Sequence, residues 1–181
     1  MGNNTVVALI TGPSASGKTV LQDTLISMGW TRPINFTTRK PRRDSELDEY
    51  VFIDRWTFAE KAQRGHFAEW TNYNKQLYAM TRYLDWSKDN AIVVDPIGKG
   101  AFEAFLTKAN RKFFRVWVEC PEFIREARLA QRRANVLETN ERMKDSEWFK
   151  LVNPSYDLTV DGTWPAEEAA QFVIKYAESI R

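Results

Sequence analysis

Residues 12–19 read Gly12-Pro-Ser14-Ala15-Ser16-Gly17-Lys18-Thr19, a spacing suited to holding a chain of phosphates. The two glycines let the backbone curl so that its N–H groups converge on an anion. A helix starting at that point adds the positive end of its dipole. Gly12, Ser14, Ala15, Ser16, Gly17, Lys18 and Thr19 are therefore the candidate contacts to a nucleoside triphosphate. Lys18 is placed to reach the β- and γ-phosphates, and the Thr19 hydroxyl to ligate Mg²⁺.

Other charged residues fit the same chemistry. Arg39 and Arg42 sit three apart on a loop containing Pro41, and guanidinium forks grip phosphate oxygens bidentately. The alternative is an exposed basic loop paired with the acidic run that follows it. Arg128 and Arg132 are four apart and share a helix face. With Arg142 they are candidates to neutralise a phosphoryl group in transit; the competing reading is a solvated face paired with Glu126 and Glu138. Asp95, at a strand end, is a candidate to hold Mg²⁺ through water, or else a helix cap. His66 is the only histidine, so a histidine metal cluster is excluded, and it reads as a turn residue.

The elements that must position these groups alternate. An apolar run over 6–10 reads as a buried strand feeding the phosphate loop, and a helical pattern follows over 20–28. Short extended pieces are expected at 33–36 and 50–53, a helix over 56–65, and extended runs at 67–73 and 77–78 around a polar turn at 74–75. A short helix is expected over 81–88. Residues 91–95 and 112–119 read as core strands, with 96–100 as a turn into a helix over 101–109. A long arginine-rich helix begins at Pro121, a last strand covers 156–160, and Pro165 opens a closing helix over 166–180. This pattern predicts a parallel sheet covered on both faces.

The chain has 181 residues and a formal net charge of +2, which suits one α/β domain with an insertion. The near-neutral charge argues against a surface that coats nucleic acid. The single cysteine, Cys120, excludes an internal disulfide framework and reads as a buried small hydrophobe. There is no basic leader and no apolar run of membrane-spanning length, so a cytoplasmic protein is expected.

Taken together these residues resemble the guanylate kinase family over nearly the whole chain. The resemblance is carried by the phosphate loop, Thr37-Thr-Arg39-Lys-Pro-Arg42, Tyr50-Val-Phe52, Gly65-His-Phe-Ala-Glu69-Trp70, Leu77-Tyr78, Asp95, and Arg128-Leu-x-x-Arg132 with the later Arg142. It implies a P-loop NTPase three-layer sandwich, with a core (1–35, 81–127, 148–181), an insertion that binds the nucleoside monophosphate (36–80) and a helical lid (128–147). It implies transfer of the γ-phosphoryl of ATP to GMP or dGMP with Mg²⁺, small nucleotides as partners, and Lys18, Arg128, Arg132 and Arg142 as catalytic groups. Asn35, Arg39, Arg42, Tyr50, Glu69, Tyr78, Met80 and Asp95 fall at acceptor-binding positions, and Thr19 and Asp95 at metal positions. Glu69 matches the carboxylate that accepts from guanine N1–H and N2–H, which suits an acceptor-only group.

Departures from the family pattern are specific. Asn35 and Met80 stand where serines usually face the O6 side of guanine, and Ile97 stands where a second acidic residue is usual. The segment from the arginine loop to Tyr50 and the one from lid to strand are short. Asn35 still offers a donor, whereas Met80 offers none. The expectation is a divergent, virus-type (d)GMP kinase with wider tolerance at the purine 6-position. Rival readings are a related deoxynucleotide kinase, a ribose 1,5-bisphosphate kinase, a kinase acting on bases within DNA, and a non-catalytic module that binds phosphopeptides.

Overall fold

The computed structural model describes residues 4–41, 47, 50–73, 75–131 and 155–181. Arg42, Arg132, Arg142 and lid residues 132–147 lie outside the described residues.

Four parallel strands form the core sheet in the order β6-β1-β7-β8. They are β1 (Val6–Thr11), β6 (Asn90–Val93), β7 (Lys112–Glu119) and β8 (Leu158–Asp161). The period-2 rule divides β1 between two apolar clusters. Val6, Ala8 and Ile10 pack with Leu21 and Leu25 of α1 (Lys18–Ser27) and with Ala170 and Val173 of α5 (Ala166–Ser179). Val7 and Leu9 face the other way, onto Phe102 and Leu106 of α3 (Pro96–Lys108). The sheet is thus covered on both faces, and the phosphate loop leaves its carboxyl edge, where α/β sheets place their ligands. Amphipathic α4 (Glu122–Gln131) follows β7 and buries Leu129 and Arg125.

Between α1 and β6 lies a second sheet, ordered β3-β2-β5-β4. Its strands are β2 (Asn35–Thr37), β3 (Tyr50–Phe52), β4 (Phe67–Tyr73) and β5 (Gln76–Thr81). One face packs on α2 (Arg55–Gln63), whose Phe58 lies 4.8 Å from the Phe67 ring and 6.3 Å from that of Trp70. Asp54 caps α2 by accepting from Thr57 N–H at 2.9 Å.

Two expectations are corrected. Residues 82–89 form no helix. Asp85 accepts from both the N–H and the hydroxyl of Ser87 at 2.9 and 2.6 Å, and Asn90 donates to the carbonyls of Asp85 and Lys88. These local bonds compete with helical ones. Conversely, 96–100 is no turn. Helix α3 begins at Pro96, whose fixed φ suits a first helical position, and Asp95 caps it.

Candidate active site

The phosphate loop is shaped by close approaches. A Cβ on Gly12 would lie 2.5 Å from the Val118 carbonyl oxygen, so only glycine lets β1 turn there against β7. Gly17 caps α1 with φ 111°, in the left-handed region that favours glycine. Ala15 shares that region at φ 62°. Lys18 Nζ donates to the carbonyls of Gly12 and Pro13, both at 2.7 Å, which keeps its charge at the loop. Ser16 is buried, and its hydroxyl has no partner among the described residues. Thr19 is exposed at the head of α1.

Arg128 braces this loop from behind. Its guanidinium donates to the carbonyls of Ala15 (3.1 Å), Ser16 (3.3 Å) and Gly162 (2.9 Å). Those bonds tie the end of α4, the loop and the turn after β8 together. Cys120 is buried beside it at 3.6 Å, with its thiol pushed up by burial.

The second sheet gathers the candidate acceptor residues by register. Asn35 pairs with Tyr50 on β3 and with Met80 on β5, and Met80 pairs with Glu69 on β4. Directly paired residues project to the same face. Tyr50, Asn35, Met80 and Glu69 therefore form one row across four strands. The next row on that face is Phe52, Thr37, Tyr78 and Thr71. The Arg39 guanidinium lies 5.6 Å from both the Tyr50 and Phe52 ring centres, which holds a cation over the edge of the row.

A β-bulge decides where Glu69 points. The register slips between Phe67 and Glu69, so Phe67 pairs with Thr81 while Glu69 pairs with Met80. In a regular strand residues two apart share a face. Here the extra residue, Ala68, sends Phe67 to the α2 side and Glu69 to the opposite side.

Glu69 thereby meets the core at the first turn of α3. Asp95 accepts from Gly98 N–H at 2.7 Å, and the Glu69 carboxyl lies against Gly98. Burial, and secondarily the charge of Asp95, push the Glu69 carboxyl up to about 7. Met80, 6% exposed, packs with Leu84, Ile92 and Phe102 in the α3-side cluster.

No group of three metal-ligating side chains occurs among the described residues. The donors near the loop are hard oxygens, the Thr19 hydroxyl and the Asp95 carboxylate. Such a set does not cage an ion alone; it suits Mg²⁺, which keeps waters and binds largely through substrate phosphates.

Sequence reasoning missed a cavity of about 370 Å³ beside the loop, walled by Val20, Leu21, Val160, Trp164 and Ala169 as well as Arg128. A Cβ on Gly162, in the turn after β8, would meet the Ser16 carbonyl. The remaining omission, Gly98, was hidden by reading 96–100 as a turn.

The family model described as guanylate kinase matches residues 3–84. The guanylate kinase of Thermotoga maritima is 27% identical over 184 residues, covering 96% of this chain and 86% of that protein. That of Nitrosomonas europaea is 38% identical over 77 residues, 41% of this chain and 38% of its own length. The crystal structure of guanylate kinase from Anaplasma phagocytophilum superposes with a TM-score of 0.69 over 97% of this chain and 85% of that one. At 19% identity this last likeness speaks for the fold alone. With the loop and the four-strand row in view, the chain is similar to guanylate kinases, through the family model over residues 3–84 and through a relative aligned along 96% of its length.

Proposed function

We propose that this chain transfers the γ-phosphoryl of ATP to GMP or dGMP. The observation that carries the reading is Glu69, a half-buried carboxylate at the end of the row Tyr50–Asn35–Met80–Glu69. A carboxylate only accepts, and guanine offers two adjacent donors, N1–H and N2–H. Tyr50, Tyr78 and Arg39, with Arg42 beyond the described residues, are the candidates to hold the acceptor's phosphate. The donor's phosphates belong on the loop, where the N–H groups, the α1 dipole and Lys18 converge.

The attacking oxygen is already anionic, so no general base is required. Positioning and charge stabilisation carry the rate. Arg128 contributes by fixing the loop through three carbonyls; Arg132 and Arg142 are the lid arginines expected to meet the phosphoryl in transit. Thr19, and Asp95 through water, would hold Mg²⁺, which would supply neutralisation of the phosphate charge.

The same row supports wider tolerance at the purine 6-position. Met80 offers no donor and is buried in the core cluster, which leaves Asn35 as the amide in the row. A buried carbonyl without its donor costs about 1–3 kcal/mol of discrimination.

The test is ADP release from ATP and Mg²⁺ with GMP, dGMP, dAMP, dTMP, dCMP, 2,6-diaminopurine monophosphate and ribose 1,5-bisphosphate as acceptors. Turnover of GMP and dGMP, with the diaminopurine analogue close behind, is expected. Turnover of the sugar bisphosphate alone would overturn the base reading, and strict guanine preference would remove the 6-position reading.

A further inference from the structure

Helix α3 opens with Asp95 as its cap and Pro96 as its first residue, and Gly98 N–H donates to the Asp95 carboxylate. A glycine inside a helix is unfavourable, because it loses more backbone freedom than any other residue. Nothing about the backbone there demands it, since Gly98 is not among the residues of positive φ. What demands it is space. A Cβ built on Gly98 would lie 2.7 Å from Glu69 Oε2, 3.0 Å from Cδ and 3.2 Å from Oε1. All three nearest atoms belong to one carboxyl group, on a different sheet, delivered there by the bulge at Ala68.

We propose that Gly98 is a specificity-positioning residue. Its missing side chain seats the Glu69 carboxylate in the first turn of α3, which sets the distance and angle at which the two oxygens meet the N1–H and N2–H edge of the acceptor base. This rests on the reading of Glu69 as the base acceptor. The colliding group is the far end of a flexible side chain, so a methyl at 98 moves the carboxylate and leaves the helix in place. The chain therefore keeps its fold and loses its aim.

The experiment is equilibrium binding of GMP and of ATP, with thermal melting, for the full chain, Gly98→Ala, Glu69→Ala and the double variant. Gly98→Ala is expected to melt at or above the parent, since alanine favours the helix. It is expected to bind ATP unchanged and to bind GMP about tenfold more weakly, the scale of a misaligned charged hydrogen bond. In the Glu69→Ala background the same methyl is expected to cost nothing further, because the atoms it strikes are gone. Should Gly98→Ala melt early, that cycle still decides the matter. Parent-like GMP binding by Gly98→Ala, or equal loss in both backgrounds, would overturn the proposal while leaving Glu69 as the acceptor. Parent-like binding by Glu69→Ala would overturn the acceptor reading itself.

Discussion

The protonation state of Glu69 should choose the base. Its carboxyl is held near 7 by burial first and by Asp95 second. Ionised, it accepts twice and matches guanine. Protonated, it donates through O–H and accepts through C=O, which matches the N1 acceptor and 2-amino donor of 2,6-diaminopurine. A group titrating near 7 is about nine-tenths ionised at pH 8 and about one-tenth at pH 6. The kcat/KM for GMP, which reports free-enzyme ionisations, should fall about tenfold across that interval, and that for the diaminopurine monophosphate should rise by a like factor. Their ratio should change about a hundredfold. Taking the ratio cancels the acceptor phosphate's own titration, which both substrates share. The assay is ADP release at saturating ATP across this range. Glu69→Gln fixes one donor and one acceptor, so its ratio should be flat with pH and favour the diaminopurine. A flat ratio in the parent, or a ratio moving the other way, would refute the reasoning.

The same raised carboxyl carries a stability sign. Because its folded value lies above the unfolded one, its contribution is neutral below about 4.5 and becomes a penalty as pH rises towards 7, reaching about 3 kcal/mol. Glu69→Gln should therefore gain stability on the parent in denaturant melts between those limits, and nothing at pH 4. Met80→Ser returns a donor to the row and should sharpen preference for GMP over the diaminopurine analogue by about 1–3 kcal/mol, read as a kcat/KM ratio. Arg128→Ala leaves three carbonyls of the loop region without their cation. ATP binding should weaken at least about tenfold by titration, GMP binding far less. Phe102→Ala, at a position fully buried under the sheet, should cost about 3–5 kcal/mol in chemical denaturation.

Much of this was legible because local pattern and global fold agree. The run Val6 to Ile10 feeding a glycine loop and a helix could be read without tertiary knowledge, and β7 lies over 112–119 as its apolar run implies. The errors fall where side chains rewrite local preference. Asp85, Ser87 and Asn90 bond to the nearby backbone and cancel a helical pattern. Asp95 and Pro96 start a helix across glycines that ordinarily mark a turn.

The site was partly legible for a different reason. Residue types named Asn35, Tyr50, Glu69, Tyr78 and Met80, but only long-range register sets four of them in one row. Alternation along Phe67-Ala-Glu69-Trp would place Phe67 and Glu69 on one face, and the bulge separates them. Arg128 read as a group facing phosphate, whereas its guanidinium donates to loop carbonyls. Which atoms a long side chain meets is decided by strands distant in sequence.

The most direct test of the central claim compares GMP with inosine monophosphate, which keeps N1–H and lacks the 2-amino group. The kcat/KM ratio would be measured in the parent and in Glu69→Ala. The parent should prefer GMP by about ten- to a hundredfold, the scale of one hydrogen bond to a charged acceptor, and Glu69→Ala should bring the ratio close to one. An undiminished GMP preference in Glu69→Ala would contradict the account, because some other group would then be reading the base.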